Sequence, residues 1–365
     1  MPSTEAGKIN LQEIVEQFCN KKANNLQFMT KNIPDGKTED EIWKIFQIIN
    51  ELFEEGDTVI FDITHGFRSL PMLGFAVLNY AAHLKNIKVQ AIYYGAYEAK
   101  NEETGIAPIF DLSQFSALLQ WSSAADAFIN YGYADKLANL VDESAAQHHG
   151  SKSVGSQLKW AMDTLNTVRG KEITEGSVFH KCVEKIKTVQ NSEKYSAHPA
   201  FTPFFEQIEK KLSGFQLNNP YNFMYAAKLN LEYGREQQAV TLLQEGIITL
   251  ILHQLERDES NRNFREIVAR QIHAARKENM KSEKQDSVPD EDSDNDLIDA
   301  IQSNEFFKII IPLYGQLSQL RNDINHAGYL NNVQNSRDII KHTQEYYDKL
   351  EKVPIATAVP SRNKK

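Results

Sequence analysis

The sequence predicts an α/β layer followed by an all-α bundle, on three observations. Strand and helix signals alternate over the first 130 residues; strand signals then stop, and helix-period apolar spacing runs on to about residue 352. A chain of 365 residues, 41% hydrophobic and 24% charged, fits two domains of ordinary size. That composition excludes wholesale disorder, a fibrous repeat and a disulfide miniprotein.

Taken in order, residues 25–33 alternate weakly and read as a strand, closed by the Pro34-Asp-Gly36 turn. Thr38 with Glu41 three residues on is a capping-box pattern, ahead of Ile42, Ile45, Phe46, Ile49 and Phe53 at helical spacing. Gly56 and Asp57 end that helix. Residues 58–64 are a near-continuous apolar run between breakers, the pattern of a strand buried on both faces. Residues 70–84 read as a second helix with Leu73, Val77, Tyr80, Ala81 and Leu84 on one side, and 87–94 as a strand stopped by Gly95. This alternation predicts a Rossmann-like parallel sheet layer with right-handed crossovers. Only one weak strand precedes the first helix, so the layer reads as starting partway into such a fold.

Helical spacing then recurs over 112–130, 133–142, 156–167, 175–189, 203–212, 222–232, 235–255, 263–276, 296–318 and 336–351, an α-bundle packed in hairpins. Residues 277–295 are charge-dense without apolar anchors and read as a disordered insertion between helices. Its acidic end lacks the Gly and the closing Glu of a calcium loop. The domain reading is 1–130 for the layer, 131–352 for the bundle and 353–365 for a frayed tail.

No stretch approaches the roughly 18–20 uninterrupted apolar residues of a membrane span, and no basic-then-apolar leader is visible. Two cysteines, Cys19 and Cys182, suit a reduced, cytoplasmic chain. Lys and Arg number 40 against 49 Asp and Glu, a net charge of −9, which excludes a protein that coats duplex DNA with its whole surface. A local basic site that meets nucleic acid briefly is compatible with that charge.

Two segments carry chemistry. The first is Asp62-Ile-Thr-His-Gly-Phe-Arg-Ser-Leu-Pro71, at the carboxyl end of a strand and opening a helix, where parallel sheets hold ligands. Gly66 permits a close backbone approach, and the Thr64 and Ser69 hydroxyls can donate to phosphate. His65 and Arg68 suit phosphates or base edges, and Phe67 suits packing or a nucleobase face. Asp62 either accepts from a ribose hydroxyl or holds the loop. An ordinary βα turn with Arg68 as a surface cation remains the alternative. No glycine-rich dinucleotide fingerprint or Walker loop is present, which disfavours NAD and ATP hydrolysis.

The second is Leu320-Arg-Asn-Asp-Ile-Asn-His-Ala-Gly-Tyr329. Arg321 and His326 diverge by about 140° in an unbroken helix, but converge on one phosphate if the helix ends near Asn325 or a second subunit supplies the other pair. The histidine would move the proton of a ribose 2′-hydroxyl or of the leaving oxygen, and the guanidinium would grip the phosphate. No metal is required, and no carboxylate cluster or Cys/His set offers to hold one. The same spacing recurs at Arg337 and His342, on a helix whose Ile339, Ile340 and Tyr346 make a plausible buried face, so it is background. An ordinary polar helix end is the alternative for Arg321. His148 and His149 read as connector, His198 as turn, His253 and His273 as partly buried contacts.

Asp62–Pro71 resembles the signature of one branch of the CRISPR-associated Rossmann-fold (CARF) proteins, and residues 33–43, 91–99 and 108–112 agree with it. Arg321-Asn-Asp-Ile-Asn-His326 is similar to the R-x4-6-H motif of the HEPN ribonucleases that follow such CARF domains. The resemblance covers residues 25 to 350 and implies a CARF layer followed by a HEPN bundle. It implies a cyclic oligoadenylate as allosteric activator, bound across a homodimer and lined by Thr64, His65, Gly66, Phe67 and Arg68, with Tyr94 and Gly95 nearby. It also implies metal-independent cutting of single-stranded RNA by Arg321 and His326, with Asn322 as helper. Members of that family open with a first strand and a glycine-containing loop facing the ligand. Neither is found here, so the CARF layer is expected to be N-terminally incomplete. Two rivals are a module that binds or degrades the cyclic nucleotide through Thr64, His65 and Ser69 while the bundle only dimerises, and a non-functional remnant.

Overall fold

The computed structural model describes residues 9, 12–17, 29–64, 69–147, 154–191, 202–280, 295–329 and 333–353. In the first part, helix α1 (Glu39–Glu51) leads into strand β1 (Thr58–Asp62), helix α2 (Ser69–Leu84), strand β2 (Lys88–Gly95), strand β3 (Ile109–Asp111) and helix α3 (Ser113–Tyr131). The chain divides into two compact units, residues 1–122 and 123–365, and the division falls inside α3.

The capping box forms at the start of α1. The Thr38 hydroxyl accepts the Glu41 N–H at 3.2 Å, while the Glu41 carboxylate reaches back to the Lys37 N–H at 2.7 Å. Strand β1 runs parallel to β2, pairing Val59 with Val89 and then Ile60 with Ala91, so that Gln90 bulges. Strand β3 pairs antiparallel with β2, Tyr94 opposite Phe110. The described sheet is therefore mixed, in the order β1-β2-β3, rather than wholly parallel. Between β2 and β3 the chain forms only one short 3-10 turn, Tyr97–Ala99, and no crossover helix, so it doubles back.

Two further expectations are corrected. Strand β1 is not buried on both faces: Ile60 is 57% exposed, while Val59 and Phe61 on the opposite face pack against the cluster of Leu78, Ala81, Ile87 and Ile92. The buried stripe of α2 is Val77, Leu78 and Ala81, and Tyr80 and Leu84 are exposed. The expected strand at 25–33 is absent over residues 29–33, which are mostly exposed and run into Pro34, a residue without an N–H for a ladder; residues 25–28 lie outside the described residues.

The second unit, among the described residues, is helical throughout. After the end of α3 come α4 (Asp135–Gln147), α5 (Val154–Asn166), α6 (Gly170–Glu175), α7 (Ser177–Gln190) and α8 (Thr202–Leu212). Then follow α9 (Asn222–Glu232), α10 (Glu236–Gln254), α11 (Arg262–Met280), α12 (Asn295–Ser303), α13 (Glu305–Asn325) and α14 (Ser336–Glu351). The helix expected from 175 starts afresh at Ser177, because Gly176 takes a left-handed φ of 69° that closes α6, and a Cβ there would meet the Gln216 carbonyl oxygen at 2.1 Å. The helix expected over 296–318 is also two. Asn304 interrupts it and caps α13 by accepting the Phe307 N–H at 3.0 Å. The expected insertion at 277–295 begins inside α11, which continues to Met280, and α12 starts at Asn295; 281–294 lie outside the described residues, as do the tail from 354, Cys19, His148, His149 and His198.

Helix α10 is the axis of this unit. From Ala239 to Leu252 nearly every side chain is buried, against α9, α11, α13 and α14. An apolar helix with no polar face has to be enclosed. Its contact with α9 is close enough to need a glycine, since a Cβ on Gly246 would lie 2.2 Å from Phe223 Cδ2. Among the described residues no helix is long and apolar enough to cross a membrane.

Two outcomes follow. Gly246→Ala forces Phe223 out of its place and should lower unfolding free energy by about 1–3 kcal/mol in urea melts. Cys182 is fully buried on α7, and burial pushes its thiol up to about 12, so Ellman's reagent at pH 8 should leave it unmodified until the bundle is unfolded.

Candidate functional site

At the carboxyl edge of the sheet, Thr64 and Gly95 are brought together. The Gly95 N–H donates to the Thr64 hydroxyl oxygen at 2.8 Å, and a Cβ at Gly95 would meet Thr64 Cγ2 at 3.0 Å. Asp62 holds the loop: its Oδ1 accepts the Thr64 N–H at 2.8 Å, an Asx-type turn. The Tyr94 hydroxyl donates to Glu98 at 3.2 Å, and this bond to a carboxylate keeps the phenol protonated above its ordinary range. Of the residues expected to meet a ligand, Thr64, Tyr94 and Gly95 are placed here. His65, Gly66, Phe67 and Arg68 lie outside the described residues.

The second segment closes α13. The helix ends at Asn325, and His326 is its exposed C-cap. A Schellman turn follows: Ala327 N–H donates to the Ile324 carbonyl at 3.0 Å and Gly328 N–H to the Asp323 carbonyl at 3.2 Å. The residue in the left-handed position normally given to glycine is Ala327, at φ 51°, followed by Gly328 at φ 75°. The following segment is held by Asp323, 4% exposed, whose Oδ2 accepts the Gln334 N–H at 2.8 Å. Gln334 in turn bonds His342 Nδ1 at 2.6 Å. His342 therefore serves a loop contact. Of the face expected beside it, Tyr346 is buried but Ile340 is 54% exposed.

Arg321 and Asn322 line one polar cleft of about 300 Å³ with Gln244, Ser318, Gln319 and Asn325. His326 is not among its lining residues. The Arg321 guanidinium is tied to α10 through Nη1, which donates to Gln244 Oε1 at 3.1 Å and Glu245 Oε1 at 3.3 Å. Its Nε is buried and has no hydrogen-bond partner, an unmatched donor of the kind that calls for an explanation. Asn325 is bridged to α10 by Gln237 at 3.3 Å.

Sequence reasoning missed Gln237, Gln244 and Glu245. A signal was available: Gln244 and Glu245 interrupt the apolar run of α10, and polar groups in a buried helix need matching partners. Among the described residues no group of three or more His, Cys, Asp or Glu could hold a metal ion.

Residues 5–98 match the model of the CARF domain of the CRISPR system endoribonuclease Csx1. Residues 117–218 match the second domain of the CRISPR-associated protein MJ1674. Together these likenesses support a CRISPR-associated CARF protein. The CRISPR-associated protein MJ1674 of Methanocaldococcus jannaschii is itself 27% identical over 195 residues, covering 51% of this chain and 29% of the relative. The chain thus spans well under half of that relative's length. The CARF match includes Thr64, Tyr94 and Gly95, whereas Arg321 and His326 lie beyond both matched ranges.

A left-handed alanine is strained where glycine is not. Ala327→Gly should therefore stabilise the bundle by about 1 kcal/mol in urea melts, with the fold unchanged by circular dichroism.

Proposed function

We propose that the chain is a type III CRISPR accessory ribonuclease of the HEPN kind, acting in the cytoplasm as a homodimer. Cyclic oligoadenylate bound to the CARF layer switches it on, and it cuts single-stranded RNA. The observation that carries this reading is the end of α13: a guanidinium anchored through Nη1, with an unmatched Nε, in a polar cleft, and an exposed imidazole at the cap of the same helix. The likeness to the CARF domain of an endoribonuclease supports it from the other end of the chain.

Arg321 binds the scissile phosphodiester and offsets charge developing on its oxygens. His326, from this chain or from the second copy, moves the proton. The ribose 2′-oxygen loses its proton and bonds to phosphorus, while the bond to the leaving 5′-oxygen breaks and that oxygen is protonated. The products are a 2′,3′-cyclic phosphate and a 5′-hydroxyl. Asn322 donates within the same cleft. No step needs a metal. On the CARF layer, Thr64, His65, Gly66, Phe67, Arg68, Tyr94 and Gly95 form the activator site.

The second reading, a cyclic-oligoadenylate binding or degrading module, is favoured by one fact: Arg321 is already ion-paired within its own chain. Chromatography of the cyclic nucleotide separates the two, since the ribonuclease reading expects RNA to be consumed far faster than the ring.

Labelled single-stranded RNA should be cut in EDTA, and faster with cyclic tetra- or hexa-adenylate. Arg321→Ala and His326→Ala should each slow cutting by about a hundredfold or more; double-variant activity equal to wild type would sink the assignment. Calorimetric titration should give one ring per two chains.

A further inference from the structure

The carboxylate of Glu245 is divided between two guanidinium groups: Oε1 lies 3.3 Å from Arg321 Nη1 and Oε2 lies 2.9 Å from Arg265 Nη2. Arg265, on α11, is itself fixed from three other sides. Its Nη2 donates to the Glu245 carbonyl at 2.9 Å, and its Nη1 donates to the Thr249 hydroxyl and to the Glu259 carbonyl, both at 3.0 Å. The neighbour of Glu245, Gln244, is locked as well. Its amide oxygen accepts from Arg321 Nη1, and its amide nitrogen donates to the Tyr314 hydroxyl at 3.2 Å. Burial holds that phenol protonated.

We infer that Glu245, held in place by Arg265, is the positioning residue that aims Arg321. Both anchoring bonds fall on Nη1 and neither uses Nε or Nη2. Nε is buried, so Nη2 is the nitrogen left to meet an oxyanion on the open side of this partly exposed guanidinium. Charge supports the same assignment. Two guanidinium groups against one carboxylate leave a single net positive charge, beside a cleft otherwise lined by amides and one hydroxyl. A site of that charge is matched to the singly charged phosphodiester inside a strand better than to a doubly charged terminal phosphate. Free rotation of Arg321 would forfeit the alignment that this contact needs. The kinetic part of this inference rests on the ribonuclease reading; the structural part does not.

Three measurements on the full chain test it. In Glu245→Gln, which keeps the shape and removes the charge, kcat should fall about tenfold with KM within about twofold, the mark of an interaction realised in the transition state. Glu245→Asp should recover part of the loss. The Arg321 Nε–H signal in 15N spectra, assigned by its disappearance in Arg321→Lys, should move or broaden in Glu245→Gln. Affinity for a 2′-deoxy oligonucleotide, which lacks the attacking hydroxyl, should stay within about twofold of the wild-type value, as KM does. Wild-type kcat together with an unmoved Nε–H signal overturns the inference. If the wild-type chain cuts no RNA, the ribonuclease reading fails, and the Nε–H signal alone then decides: moved supports the positioning role, unmoved overturns it. Should Glu245→Gln fail to fold, Arg265→Lys keeps the charge but removes the fork, and the same signal should move.

Discussion

A helix enclosed by its neighbours can carry polar side chains only where those neighbours match them. That constraint governs the helical unit. Helix α10 is apolar along most of its length and is covered by α9, α11, α13 and α14 with α6 at its side, yet it bears Gln244 and Glu245 near its middle. Gln244 is met by Tyr314 and Arg321 on α13, and Glu245 by the same Arg321 and by Arg265 on α11. The matching pins α13 and α11 in register against α10. It also sets a guanidinium at the end of α13, beside the polar cleft. Packing and chemistry are here one arrangement. The apolar sides of α10 and α13 hold the helices together, and the polar residues left at their border make the cleft.

The same constraint explains what was legible in the sequence. Helical spacing placed nearly every helix of the second unit, because an amphipathic stripe is a local property. What it could not see was interruption. Asn304 splits an expected helix and Gly176 trims the start of another, and their effect depends on a side-chain cap in one case and a left-handed turn against Gln216 in the other. Arg321 and Asn322 stood out in the sequence at a polar helix end; the helix does end at Asn325, yet His326 does not line the cleft with Arg321. Glu245 was readable as a polar break in an apolar run, but its partners Arg265 and Arg321 were not, since they lie 20 and 76 residues away in sequence.

In the first unit the alternation of signals identified β1, α2 and β2, but not how they are covered. An unbroken apolar run suggested a strand enclosed on both faces. The pairing places β1 at one end of the described sheet, with Val59 and Phe61 on the packed side and Ile60 open. Apolar composition reports what a strand tolerates; the neighbours decide what it meets. The short segment 109–111 gives almost no periodic signal, and its antiparallel pairing with β2 follows a long connection, residues 96–108, that holds no crossover helix.

Helix α3 has a consequence of a different kind. It is continuous from Ser113 to Tyr131, with Trp121 buried ahead of the division between the units and Ala124, Ala125 and Phe128 buried after it. A rod of that length is cheap to extend once nucleated but costly to start. Loosening at one end therefore deprives the other of part of its template. Burial of Trp121, Ala124, Ala125 and Phe128 along the rod sets where such loosening stops.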